Sequence, residues 1–176
     1  MTGNTDITPL ERFLSTLKIV SHEGQHLAYS WRWLSEQTLD TAWVQRLDTQ
    51  LDLAERLEAF VSRYGRMQDT MGEKLLPRWL AALAETPGSM IENLNRAERL
   101  GVLENVDRWL EARQLRNRLI HEYMESPASF AADLVLARDY CKDLFATFKR
   151  LRDFAATRMG ISHTVLPVLP DLDADN

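Results

Sequence analysis

Apolar residues along the chain recur at threes and fours, the spacing of a helix face, and almost nowhere alternate in the two-residue rhythm of a strand. Thr8-Pro9 reads as an N-cap followed by a proline at the first helical position. Leu10, Phe13, Leu14, Leu17, Leu27, Trp31 and Leu34 then form one seam and predict a first helix to about Glu36. Gly24 falls on that seam, where a missing side chain either admits a close neighbour or marks a break. A second seam from about Thr41 carries Val44, Leu47, Leu51, Phe60, Tyr64, Met67, Met71 and Leu75. It is expected to end before Pro77, because proline disfavours the helical conformation in the residue ahead of it. Pro77 to Glu85 reads as a short helical turn, and Thr86-Pro87-Gly88 as the clearest break.

Ser89 and Glu92 have the spacing of a capping box and open a short helix that stops where Leu100 meets Gly101. Asn105 can cap the next helix, which carries Val106, Trp109, Leu110 and Ile120 and loosens by Ser126-Pro127. Ser129 is expected to cap the last, where Phe130, Leu134, Ala137, Cys141, Leu144, Phe148 and Leu151 repeat to about Met159. Val165 to Leu169 is the one strand-like run, and its prolines argue against pairing in a sheet. The pattern predicts an all-α fold: an up-and-down bundle of four to five helices over residues 1–160. Residues 161–176 are expected to be a partly disordered extension that lies on the bundle or stays loose.

Composition narrows the class. With 176 residues, 45% hydrophobic and 27% charged, the chain suits one compact domain and is neither disordered nor fibrous in character. No run approaches the roughly 18 apolar residues of a membrane span, and no basic segment precedes an apolar core near the first residue, so a cytoplasmic location without membrane contact is expected. The single cysteine, Cys141, fits a reducing compartment and buried packing. A formal charge of −5 argues against a generally basic nucleic-acid coat. That charge is unevenly placed: the last six residues hold three aspartates, while Lys142 to Arg158 holds five basic residues against Asp143 and Asp153.

His22-Glu23-Gly24-Gln25-His26 spells H-E-x-x-H, which sets two imidazoles one helical turn apart with a glutamate as general base. A catalytic zinc also needs a third protein ligand, and Glu36, Asp40 and Asp48 belong to no recognisable continuation of the motif. Gly24 further weakens the helix that must hold the geometry. The favoured reading is two polar residues flanking a tight helix contact, with His22 and His26 kept as a metal-binding alternative.

The segment Val106 to Tyr123 places polar groups on its apolar face. With Arg113 at zero and about 100° per residue, Val106, Trp109, Leu110 and Ile120 lie within about 60° of it. Asn117, Arg116, His121 and Tyr123 lie on the same half-turn. Burying unpaired guanidinium groups costs several kcal/mol. The arginines therefore need carboxylate partners from Glu111 or the second helix, an interface, a cleft, or a path for snorkelling to water.

Arg116-Asn117-Arg118-Leu119-Ile120-His121-Glu122-Tyr123 has the form R-N-x3-H-x-Y and resembles the signature of HEPN domains. More narrowly, it is similar to HepT-like toxins and the substrate-binding partners of minimal nucleotidyltransferases. Arg99 to Leu103 followed by Trp109 shares that likeness, which covers roughly residues 40 to 155; the long first helix and the tail depart from it. The resemblance implies metal-independent RNA cleavage, without a cofactor, at a composite site in a homodimer. His121 would be the general base or acid and Arg116 the phosphate clamp, with Arg113 and Asn117 supporting. Tyr123 would accept AMP from a minimal nucleotidyltransferase antitoxin. Arg116 and His121 are about 140° apart around one helix, so two copies would be required to bring them together. The alternative is a non-catalytic helical subunit that binds a nucleotidyltransferase and its substrate.

Overall fold

The structure, a computed structural model, describes residues 6–121 and 126–173, with His121 described by its backbone alone. Among these residues the chain is all-helical. The helices are α1 (Pro9–Ser35), α2 (Thr41–Gln45), α3 (Leu51–Thr70), α4 (Leu76–Ala82), α5 (Met90–Arg99), α6 (Val106–His121) and α7 (Pro127–Arg158). A 3-10 turn, Arg46–Asp48, follows α2, and a π turn, Met71–Leu75, joins α3 to α4.

The helix starts follow local chemistry. The Thr8 amide donates to the Glu11 carboxylate at 2.8 Å, and the Glu11 amide donates back to the Thr8 hydroxyl at 3.2 Å, closing the box that opens α1. Ser89 and Glu92 open α5 in the same way, with bonds of 2.7 and 3.3 Å. Asn105 caps α6 by accepting from the Arg108 amide at 2.9 Å. Asp40 caps α2 through the Trp43 amide at 2.7 Å.

Three boundaries differ from the expected ones. The second seam is not one helix, because the chain turns between Arg46 and Gln50 before α3 begins. Leu47 remains 1% exposed through that turn, so the apolar repeat survives although the helix does not. Pro77 does not stop the helix, which continues to Ala82. A proline lacks an amide hydrogen and crowds the carbonyl four residues back; the wider π turn just before it relieves both problems. The chain turns away after Ala82 through Leu83 and Ala84, whose φ of 61° is left-handed. Finally, α7 is capped by Ser126 and begins at Pro127, ahead of Ser129. Proline fits the first helical turn, where its missing amide would have no intrahelical partner.

Phe13, Phe60, Tyr64, Trp79 and Phe148 are buried at the centre, where α1 packs along α3 and α4, and α6 packs against α3 and α7. Cys141 is fully buried there, and burial pushes its thiol pKa up. No helix among the described residues is long and apolar enough to cross a membrane.

Residues 161–173 lie along α1 and α7. Leu166 and Leu172 are buried, and Leu169 fills the notch at Gly24, where an added Cβ would collide with its methyl group. The Ser21 hydroxyl donates to the Val168 carbonyl and Arg152 Nε to the Pro167 carbonyl, each at 3.0 Å. Lys142 pairs with Asp173 at 3.0 Å, so the acidic end of the chain answers part of the basic stretch on α7. The close neighbour admitted by Gly24 is therefore the tail. Gly24→Leu is expected to expel Leu169, destabilise the fold by about 1–3 kcal/mol, and open residues 161–173 to protease; urea denaturation and limited proteolysis read both effects.

Candidate functional site

The site is built where α6 crosses α3. The Tyr64 hydroxyl is buried and donates to the Ala112 carbonyl at 3.0 Å. Burial pushes the phenol pKa far above its ordinary value, so the proton stays on the hydroxyl. This bond sets the register of the two helices. One turn further along α6, Arg116 lies against Gly65: a Cβ on Gly65 would stand 2.6 Å from Arg116 Nε and 3.3 Å from its Cζ. Any larger residue at position 65 would force the arginine away.

Asp69, one turn beyond Gly65, holds the other side of the guanidinium through contacts of 2.9 and 3.4 Å. This two-point geometry matches the planar fork of arginine to a carboxylate. The pair is partly open, with side-chain exposures of 27% and 30%. Arg113 donates to Glu73 in the π turn at 3.3 Å and also rests on the Met90 sulfur. Arg118 grips Asp133 of α7 at 3.0 and 3.1 Å. Carboxylates from the second seam therefore partner Arg116 and Arg113. Glu111 is engaged elsewhere, accepting from the Tyr140 hydroxyl at 3.1 Å.

The inward face of α6 is turned by about 100° from the expected one and centres on Ala112 instead of Arg113. Leu115 and Leu119 are buried, whereas Ile120 is 51% exposed. Counting Ile120 as core drew the expected face towards it; contact with α3 on one side and α7 on the other selects Ala112, Leu115 and Leu119. Arg116 stays on the buried arc, Arg113 lies at its edge, and Asn117 is exposed instead of inward. His121 is the last residue of α6, and Tyr123 lies outside the described residues.

A cavity of about 620 Å³ opens beside Arg116 between α3, α6 and the start of α7. One end is mainly aliphatic, with Ala54, Leu57, Val61 and Leu119 beside Glu58 and Ser62; the other carries Arg66, Asp69, Lys74 and Arg116. Gly65, Asp69, Arg66 and Lys74 were not singled out from the sequence. The available signal was a polar stripe at four-residue spacing, Arg66, Thr70 and Lys74, running beside an otherwise apolar seam.

The H-E-x-x-H segment is arranged differently from a metal site. His22 and His26 are exposed on α1, while Glu23 is half-buried and accepts from the Thr70 hydroxyl at 3.0 Å. Among the described residues no group of three His, Cys, Asp or Glu side chains is placed to hold a metal. Burial raises the Glu23 pKa, opposed by the Thr70 hydrogen bond and by Arg66 and Lys74. Its other carboxyl oxygen is buried with no hydrogen-bond partner among the described residues.

A raised carboxyl pKa means that stability falls as pH climbs from the ordinary carboxyl range through the raised value, because the unfolded chain ionises more readily. Glu23→Gln is therefore expected to raise the urea midpoint relative to the parent at pH 7.5 and to leave it unchanged at pH 4. At the arginine clamp, Gly65→Val and Asp69→Ala should be coupled. Each removes the same arrangement, so the double variant should lose less stability than the sum of the two by about 0.5 kcal/mol or more in a double-mutant cycle.

Compared with models of protein families, with curated proteins and with solved structures, the chain has no match.

Proposed function

We propose that this chain is a HEPN-type, metal-independent endoribonuclease, the toxin of a toxin-antitoxin pair, acting as a homodimer in the cytoplasm and neutralised by a minimal nucleotidyltransferase. The observation that carries the reading is Arg116: a flat guanidinium, seated on a glycine at the edge of an open cavity, on the helix that ends at His121. Such a group suits a phosphodiester, because its fork contacts two oxygens and its charge is permanent.

In the proposed reaction the ribose 2′-hydroxyl attacks the adjacent phosphorus, and the bond to the 5′-oxygen breaks. The products are a 2′,3′-cyclic phosphate and a free 5′-hydroxyl. His121 of one copy takes the proton from the 2′-hydroxyl or delivers one to the leaving oxygen. Arg116 of the other copy neutralises charge on the phosphoryl oxygens. Arg113, paired with the cavity-lining Glu73, adds phosphate affinity, and Asn117 contacts the same strand from the exposed side of α6. AMP transferred by the partner from ATP to Tyr123, with release of pyrophosphate, would add an anion two residues beyond His121 and oppose RNA binding.

Asp69 favours a second reading. It already occupies the fork of Arg116, so RNA must share or displace that carboxylate. A non-catalytic subunit that binds a nucleotidyltransferase needs no such exchange. Purified chain incubated with RNA in EDTA separates the two. The nuclease reading expects cleavage that resists EDTA, ends in cyclic phosphate, and falls by about 100-fold or more in Arg116→Ala and His121→Ala. Absence of cleavage together with stable co-purification of a nucleotidyltransferase supports the binding subunit.

A further inference from the structure

We propose that the cavity between α3 and α6 binds a linear amphiphile: an unbranched alkyl chain ending in a carboxylate or phosphate. Its volume of about 620 Å³ lies in the range of small-molecule sites. Its shape follows α3, whose lining residues run from Ala54 to Lys74, about 30 Å at 1.5 Å per residue. A long slot of this kind suits an extended chain better than a compact ring system.

The lining is sorted by chemistry along that length. The Ala54 end is mainly aliphatic, with Ala54, Leu57, Val61 and Leu119 to solvate an alkyl chain without asking for hydrogen bonds, and the exposed Glu58 and Ser62 also on its lining. Its one aromatic, Phe130, is 3% exposed and offers no open face on which a flat base could stack. At the other end the charges are unequally engaged. Asp69 is held by Arg116 and Glu73 by Arg113, whereas Arg66 and Lys74 form no ion pair among the described residues. Both are exposed and stand two helical turns apart on one stripe, with Thr70 between them. Glu23 also faces them; it turns to Thr70, and burial raises its carboxyl pKa. An anionic head group on this stripe meets two cations whose local carboxylates are already committed, while its chain lies along Val61, Leu57 and Ala54.

The π turn contributes to this sorting. It adds width to the helix directly at Glu73 and Lys74, so the last polar turn of the wall is re-aimed relative to α3. The inference does not rest on the nuclease reading, because binding is measured without RNA.

The test uses the full chain and the fluorescent probe dansyl-undecanoic acid, kept below its micelle concentration. Saturable, blue-shifted emission at one probe per chain is expected, displaced by dodecanoate and dodecyl phosphate and about tenfold less well by dodecanol. Val61→Trp fills the aliphatic end and should weaken the probe by about tenfold or more. Arg66→Ala with Lys74→Ala touches only exposed side chains; it should weaken dodecanoate by about tenfold while leaving dodecanol unchanged, a split that a general loss of folding does not produce. Lys149→Ala, on α7, should change nothing. The proposal is overturned by absence of saturable emission, by equal displacement by dodecanoate and dodecanol, or by probe binding that is indifferent to Val61→Trp. It is also overturned if Val61→Trp abolishes self-association of a chain that binds no probe, which would make a second copy the occupant.

Discussion

The contact between α3 and α6 rests on a buried phenol and a flattened arginine one turn apart, and the candidate site exists only because both are satisfied. Tyr64 donates to the Ala112 carbonyl where no water can replace it, so sliding α6 along α3 would strand a hydroxyl in the core. That register places Arg116 over Gly65 and within reach of Asp69. The glycine removes the side chain that would hold the guanidinium off the helix, and the carboxylate removes the cost of keeping a charge half-buried. The adjacent Tyr64 and Gly65, with Asp69 one turn beyond, thus position one residue of α6.

The same helix supports the cavity. Before Gly65 its lining is mainly aliphatic, with Glu58 and Ser62 among it; after Gly65 the lining is polar as far as Lys74 in the π turn, which leads into α4 without breaking the helix. Glu73 in the turn engages Arg113, which ties the end of α3 to α6 a second time. Glu23 reaches the stripe from α1 through Thr70, so three helices meet around the charged end of the cavity. On the opposite side of the bundle, the tail uses Gly24 as the cavity wall uses Gly65: an absent Cβ lets a longer side chain lie close against a helix.

Much of the fold was legible. The capping boxes at Thr8 and Ser89, the Asn105 cap and the apolar repeat of α7 are local features whose chemistry acts within four residues. The misplaced boundaries at Arg46, Pro77 and Ser129 lie where a local rule was outweighed, by burial of Leu47, by the π turn, and by the tolerance of proline in a first turn. In the site, the presence of arginines on α6 was legible, and so was their need for compensation, with carboxylates of Glu111 or the second seam one option beside an interface, a cleft or water. Which carboxylates, and which arc of α6 faces inward, was not, because Ile120 and Leu119 look alike to a periodicity and differ only in what packs against them.

By itself the sequence determined the helical class, the caps, the buried Cys141, and the concentration of cationic groups in Val106 to Tyr123. Those properties follow from spacing along one chain and from the cost of leaving charge unpaired. Tertiary structure alone decided that Gly65 and Asp69 seat Arg116, that Glu23 leaves its histidines to join α3, and that the Gly24 notch receives Leu169. Each of these is a contact between residues at least 47 positions apart. Such contacts depend on the rotation and register of whole helices, which are set by packing over many side chains and are written at no single position.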